Sequence, residues 1–148
     1  MSNSFRIGTI RLLNNSVDEA IWSSLEKWLL PVKKAYPDVS IIGSGGNINK
    51  LFKLAYKKPG RPLTYSYLKK RLKELSKMSY EERIFEYKLN ADRADVIVPA
   101  TEIFLKIMKF SGANEVYVPK IGLSDGLVRR VYSDYKAKRL KRINILHP

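Results

Sequence analysis

The apolar and polar positions of the chain follow two different periods, which predicts strands that alternate with amphipathic helices. Apolar and β-branched residues predict strands over Ser4–Leu13, Asp38–Ile42 and Val116–Val118. Apolar residues three or four positions apart predict helices after each of these strands and in the long stretch between the second and the third. This order favours an α/β layer structure with at least one parallel pair of strands.

Local signals set the ends of several predicted helices. Ser16 with Glu19, and Ser79 with Glu82, have the spacing of a capping box, in which side chain and backbone satisfy each other at the helix start. Thr64 is also suited to cap a helix. We therefore expect helices to begin just after these positions.

Two prolines and a glycine are expected to shape the longer helices. Pro31 should bend or break the first helix. The segment Ala91–Phe110 is predicted as one long helix with a kink at Pro99 and a stop at Gly112.

A last helix is predicted after the loop Lys120–Gly126, with Ser124 or Asp125 as its cap. The segment Lys136–Arg142, with five basic residues among seven, is expected to form an exposed helix end. The stripe of this helix that is expected to be buried consists of Val128, Val131, Tyr132 and Tyr135.

Composition limits the class of protein. A chain of 148 residues with 45% apolar content fits one compact domain. The net charge of +14 should attract anions such as nucleic acid, polyphosphate, nucleotides or an acidic membrane surface. The absence of cysteine excludes disulfides, and no apolar run is long enough for a membrane span. We expect a cytoplasmic protein with no membrane partner.

A glycine-rich turn is the strongest candidate for a binding site. It follows the second predicted strand, leads directly into a helix, and consists of Gly43, Ser44, Gly45, Gly46 and Asn47. Glycines let several backbone N–H groups converge on one anion, and a helix start adds its positive dipole end. The alternative is an ordinary tight turn between a strand and its helix.

Two basic residues add candidate phosphate ligands. Arg93 lies near a predicted helix start, where it can reach a phosphate or pair with Asp92 or Asp95. Lys120 directly follows a strand, at the edge where α/β sheets usually hold ligands.

Five segments occur in a recognisable order: Ile42–Ile48, Leu63–Leu75, Met78–Arg83, Asp92–Ile97 and Gly122–Leu127. Together they resemble the Ppx/GppA phosphatase family, which comprises exopolyphosphatases and guanosine pentaphosphate phosphohydrolases. The resemblance implies an actin-like, sugar-kinase-like fold of two ribonuclease-H-like domains with the active site between them.

The resemblance also implies which part of such a protein is present. Residues 1–148 look like a single domain, most of the second one, with a mixed sheet, a helical insertion at about 60–90 and an incomplete N-terminus. An unprotected strand Ser4–Leu13 would then be a sheet edge through which the chain can dimerise.

The parent protein would remove terminal phosphate from inorganic polyphosphate or a guanosine polyphosphate, with magnesium or another divalent ion. The family's catalytic glutamate and its Asp-Xaa-Gly-Gly-Gly-Ser loop are missing here. The chain by itself is therefore expected to bind phosphate through Gly43–Asn47, Arg93 and Lys120, and neither to hydrolyse it nor to hold a metal. Its expected partner is the missing N-terminal domain.

Two other functions remain open. The +14 charge and nine tyrosines fit a non-enzymatic nucleic-acid-binding module. A degenerate sensor of a phosphate ligand is the other, because Ser124 and Asp125 depart from the family's Gly-Leu-Arg-Glu-Gly pattern.

Overall fold

A small mixed sheet lies among the helices of this chain. The computed structural model describes residues 2–119 and 121–146. Strand β1 (Ile41–Ile42) is parallel to β3 (Glu115–Tyr117), and β2 (Leu63–Thr64) is antiparallel to β3 on its other side. The predicted parallel pair and mixed sheet are therefore confirmed, whereas β2 was not among the predicted strands.

Helices make up most of the described residues. In chain order they are α1 Thr9–Leu13, α2 Glu19–Ala35, α3 Gly46–Leu54, α4 Tyr65–Leu75, α5 Tyr80–Tyr87, α6 Ala91–Ala94, α7 Ile97–Ser111 and α8 Leu123–Leu146. In the ranges 2–119 and 121–146, no helix combines the length and the apolar character needed to cross a membrane.

The main core lies between the sheet and helices α3, α4 and α7. Its largest fully buried members are apolar residues from these elements: Ile48, Leu51, Phe52, Leu63, Leu68, Leu75, Ile97, Met108 and Val116. One face of α3 and one face of α4 are apolar, as their helical periods predict, and both helices pack against α7 in this core.

The first predicted strand is wrong. Residues 9–13 of the segment Ser4–Leu13 form helix α1, with Gly8 as its N-cap. Phe5, Ile7 and Leu12 pack against a second cluster that is centred on Trp22 of α2. A strand needs a neighbour for its backbone hydrogen bonds, and this segment instead satisfies them in a helical turn while burying its apolar side chains. The expected sheet edge for dimerisation is therefore absent from this segment.

Helix α2 begins and continues differently from the prediction. Its N-cap is Asp18 rather than Ser16, whose hydroxyl donates to the Asn14 carbonyl. Val17, just before the cap, packs in the same cluster as Trp22, the arrangement of a hydrophobic staple. The helix also continues through Pro31, so of the two predicted effects of this proline, a bend or a break, the break does not occur.

The caps of α4 and α5 are confirmed. Thr64 Oγ1 accepts a hydrogen bond from the Tyr67 N–H, and Ser79 with Glu82 forms both halves of a capping box.

The predicted helix Ala91–Phe110 is in fact two helices, α6 and α7, separated by Asp95 and Val96. Pro99 occupies the first turn of α7, where a missing N–H costs no internal hydrogen bond, so it starts a helix instead of kinking one. Gly112 ends α7 in the left-handed region, as predicted.

The stripe predicted to be buried on the last helix is wrong as well. Val128, Val131, Tyr132 and Tyr135 are all exposed on α8. The predicted helix is present, but it is only weakly amphipathic over its full length, and no other element of the described chain covers the predicted stripe.

Candidate phosphate-binding site

The glycine-rich turn lies where β1 ends and α3 begins. Gly43 is buried, and its N–H donates to the Tyr117 carbonyl of β3 at 2.8 Å. A Cβ at this position would lie 2.9 Å from Val116 Cγ1 and 3.0 Å from Phe104 Cε1. Gly43 is therefore needed for packing between sheet and helix.

Gly45 and Gly46 open the helix and face the surface. Gly45 has a φ of +117°, a conformation that residues with a side chain rarely adopt. Helix α3 begins at Gly46, and its first N–H groups have no acceptor inside the helix. This helix start can therefore offer amide donors and a positive dipole end to an anion.

Arg93 lies against this helix start. Its Nη1 donates to the Gly46 carbonyl at 3.0 Å, and a Cβ on Gly46 would lie 3.0 Å from its Nη2. Neither Asp92 nor Asp95 has a carboxylate oxygen within 4.0 Å of the guanidinium. The predicted alternative of a salt bridge is therefore absent, and Arg93 keeps donors free beside the turn.

A cationic depression of about 350 Å³ extends from Arg93 along α3. It is lined by Asn49, Lys50, Lys53, Lys88, Leu89, Asn90 and Arg93. Lys50 Nζ is held over the depression by a 3.0 Å hydrogen bond to the Lys88 carbonyl. Four basic residues with no acidic residue in the lining make this a place where an anion is favoured.

Two features show how polar this depression is. Burial, and then the neighbouring charges of Lys53 and Arg93, lower the pKa of Lys50 below its ordinary value. The Oδ1 atom of Asn49 is buried and has no hydrogen-bond partner among the described residues. An anion would relieve the repulsion among the cations, and a hydroxyl or amine group of a ligand could donate to Asn49.

A second, smaller cavity of about 150 Å³ lies over the turn. Ser44, Gly45, Gly46 and Asn47 form one side of it, and Phe104 of α7 is on the other. The predicted site residues among those described therefore lie in three different places. Gly43 is buried in the packing, 44–47 line this cavity, and Arg93 lines the cationic depression.

The remaining predicted ligand, Lys120, lies outside the described residues. Lys50, Lys53 and Lys88 were missed as site residues. The spacing of Lys50 and Lys53 on one face of α3 was a signal, but Lys88 is far away in sequence and gave none.

In the ranges 2–119 and 121–146, no three acidic or histidine side chains cluster as metal ligands.

The sequence matches no family model, and no curated protein matches it significantly. Solved structures do match. A Ppx/GppA family member from Aquifex aeolicus is 26% identical with a TM-score of 0.66, over 89% of this chain and 49% of that chain. The type II variant of the Aquifex aeolicus Ppx/GppA phosphatase is 28% identical with a TM-score of 0.66, over 85% of this chain and 47% of that one.

An exopolyphosphatase from Cytophaga hutchinsonii shares the fold at 20% identity, with a TM-score of 0.65, over 89% of this chain and 49% of that chain. The chain thus spans about half the length of the structures it matches. The family resemblance predicted from the ordered motifs is therefore confirmed, and this chain has the fold of about half of a Ppx/GppA-family protein.

Proposed function

We propose that this chain is the phosphate-binding part of a cytoplasmic hydrolase that removes terminal phosphate from inorganic polyphosphate or a guanosine polyphosphate. In this proposal it corresponds to a ribonuclease-H-like domain, and the water-activating carboxylate and a divalent ion belong to another part of the protein. The relatives named above include a Ppx/GppA phosphatase and an exopolyphosphatase, which supports a hydrolase of this kind.

One observation carries the proposal. The guanidinium of Arg93, which forms no salt bridge, donates to the first residue of α3 and borders the depression that also contains Lys50, Lys53 and Lys88. A phosphate chain carries negative charge along its whole length, so it can contact the cations and the helix start together. Arginine is well suited to phosphate because its planar fork donates two parallel hydrogen bonds.

The experiment is a binding titration of inorganic polyphosphate against wild type, Arg93→Ala and Arg61→Ala, at several salt concentrations. Arg61 is an exposed arginine in the turn before β2, so its variant loses the same charge away from the depression. We expect Arg93→Ala to weaken binding by about 10-fold or more, since a charge-assisted hydrogen bond contributes roughly 1.5–3 kcal/mol. Arg61→Ala should change it much less.

Single-stranded RNA in the same titration separates this proposal from the nucleic-acid alternative. Equal and steeply salt-dependent binding of both polymers, with both variants alike, would show that only the +14 charge acts. Stronger binding of polyphosphate that depends on Arg93 supports the phosphate site.

A further inference from the structure

Helix α8 carries an exposed apolar stripe along three turns. At about 100° per residue, its members fall within an arc of roughly 140° on one side of the helix. They are Leu127 (61% exposed), Val128 (67%), Val131 (60%), Tyr132 (61%) and Tyr135 (59%). Such a contiguous patch is typical of a surface that binds another protein surface.

The other side of α8 is polar and charged. Arg129 and Ser133 are exposed there, and Arg130 and Lys136 are exposed on the two flanks between that side and the stripe. Most of the stability of a helix in a protein comes from packing its apolar face, and within the described chain this face has no cover. The stripe therefore calls for a partner with a matching apolar face.

We propose that α8 pairs antiparallel with α8 of a second copy of this chain. Around a two-fold axis beside Val131, Leu127 of one copy lies opposite Tyr135 of the other, and Val131 lies opposite itself. An isologous contact of this kind needs a patch that is complementary to itself, and the spacing of these residues provides one.

The charges beside the stripe support this direction of pairing. In the antiparallel register, Asp125 on one flank is level with Lys136 of the second copy. On the other flank, Asp134 approaches Arg130 of the second copy. Opposite charges thus meet at Asp125 with Lys136 and at Asp134 with Arg130, while the two Arg130 side chains, which are equally close along the axis, repel each other beside the two-fold axis. Oppositely charged flanking positions are a known determinant of helix pairing and orientation.

The overall charge opposes the dimer at low salt. Each copy carries +14, and this repulsion extends over about 10 Å at 0.1 M ionic strength but only about 3 Å at 1 M. We therefore expect dimerisation to strengthen as salt is added, since the apolar stripe is not screened.

The test is sedimentation equilibrium of the full chain at about 0.5 M salt, where the Debye length is short. Wild type should be a dimer. Val131→Glu should raise the dissociation constant by about 100-fold, because it places a charge at the centre of the apolar contact. Ser133→Glu adds the same charge to the opposite side and should leave the dimer intact. A wild type that is monomeric at every concentration would overturn the proposal, as would equal effects of the two variants.

A mixing experiment tests the direction of pairing. In a dimer of the Asp134→Lys variant, the new lysine of each copy faces Arg130 of the other copy, so like charges meet at both symmetry-related contacts. In a dimer of the Arg130→Asp variant, the new aspartate faces Asp134 at both contacts. Each variant should therefore dimerise less than wild type. When the two variants are mixed, the heterodimer pairs the new lysine with the new aspartate and Arg130 with Asp134. Heterodimers should therefore recover most of the wild-type affinity. Any effect of a substitution on its own helix is unchanged by mixing, so a recovery must come from contacts between the copies. If the mixture dimerises no more tightly than the separate variants, the antiparallel register is overturned.

Discussion

The guanidinium of Arg83 donates a hydrogen bond to the backbone carbonyl of Ala94, with Nη1 and O 2.9 Å apart. Its Nε and Nη2 donate to the carbonyls of Leu75 and Met78, each at 3.0 Å. The side chain thus joins the end of α4 and the following turn to α6, the short helix that carries Arg93. A residue outside the anion site therefore fixes the backbone from which Arg93 reaches Gly46.

Replacing Arg83 by alanine should affect both folding and binding. We expect the free energy of unfolding to fall by about 2–4 kcal/mol, because three carbonyls lose a charged donor. Polyphosphate affinity should also fall, since α6 is less well held. Urea unfolding and a binding titration measure the two effects. Arg83→Lys keeps the charge but lacks the fork, so it should recover only part of each, and unchanged affinity in a folded Arg83→Ala variant would contradict the positioning role.

Gly46→Ala should separate binding from stability. The new Cβ would lie 3.0 Å from Nη2 of Arg93, which is the far end of a flexible side chain and can move away. Alanine is also the better helix former, so the free energy of unfolding should change by less than about 1 kcal/mol. Polyphosphate affinity should fall toward that of Arg93→Ala.

The double variant Gly46→Ala with Arg93→Ala is the control for this explanation. If alanine at 46 acts by displacing Arg93, the double variant should bind no worse than Arg93→Ala alone. Additive losses in the titration would show that Gly46 contributes in another way.

The sequence predicted those features that depend on residues close to each other in the chain. The turn 43–47, helix α3 and the caps at Thr64 and Ser79 were predicted correctly, because glycine content, helical period and capping spacing act within a few residues. The contact of Arg93 with Gly46 spans 47 positions, and that of Lys50 with Lys88 spans 38. Local pattern carries no signal for such pairs.

The errors have the same physical origin. Apolar residues in 4–13 and on α8 were recognised, but the pattern does not say what will cover them. Phe5 and Ile7 pack in a cluster of helices and not in a sheet, and Val131 and Tyr132 are exposed because nothing in the described chain covers them. Periodicity predicts that a face is apolar, and tertiary structure decides where it packs.

Gly43→Ala should mainly destabilise the fold. Its Cβ would lie 2.9 Å from Val116 Cγ1 and 3.0 Å from Phe104 Cε1, both in a packed region. Overpacking of this kind costs about 1–3 kcal/mol, and urea unfolding should show a loss in that range. Ser44→Ala, at the neighbouring exposed position, should stay within about 0.5 kcal/mol of wild type. Equal stability of the two variants would contradict the packing explanation for Gly43.

The pKa of Lys50 should change with the charges around it in the cationic depression. Burial first, and then Lys53 and Arg93, lower its pKa in the folded state. The folded protein therefore loses this proton at a lower pH than the unfolded chain does, so the contribution of Lys50 to stability should rise with pH between the folded and the unfolded pKa.

A phosphate bound in the depression favours the charged ammonium of Lys50 and should raise its pKa, and Arg93→Met should raise it by removing a positive neighbour. NMR titration of the lysine ¹³Cε signals measures both shifts. A Lys50 pKa that is unchanged by polyphosphate would place the ligand elsewhere on the molecule.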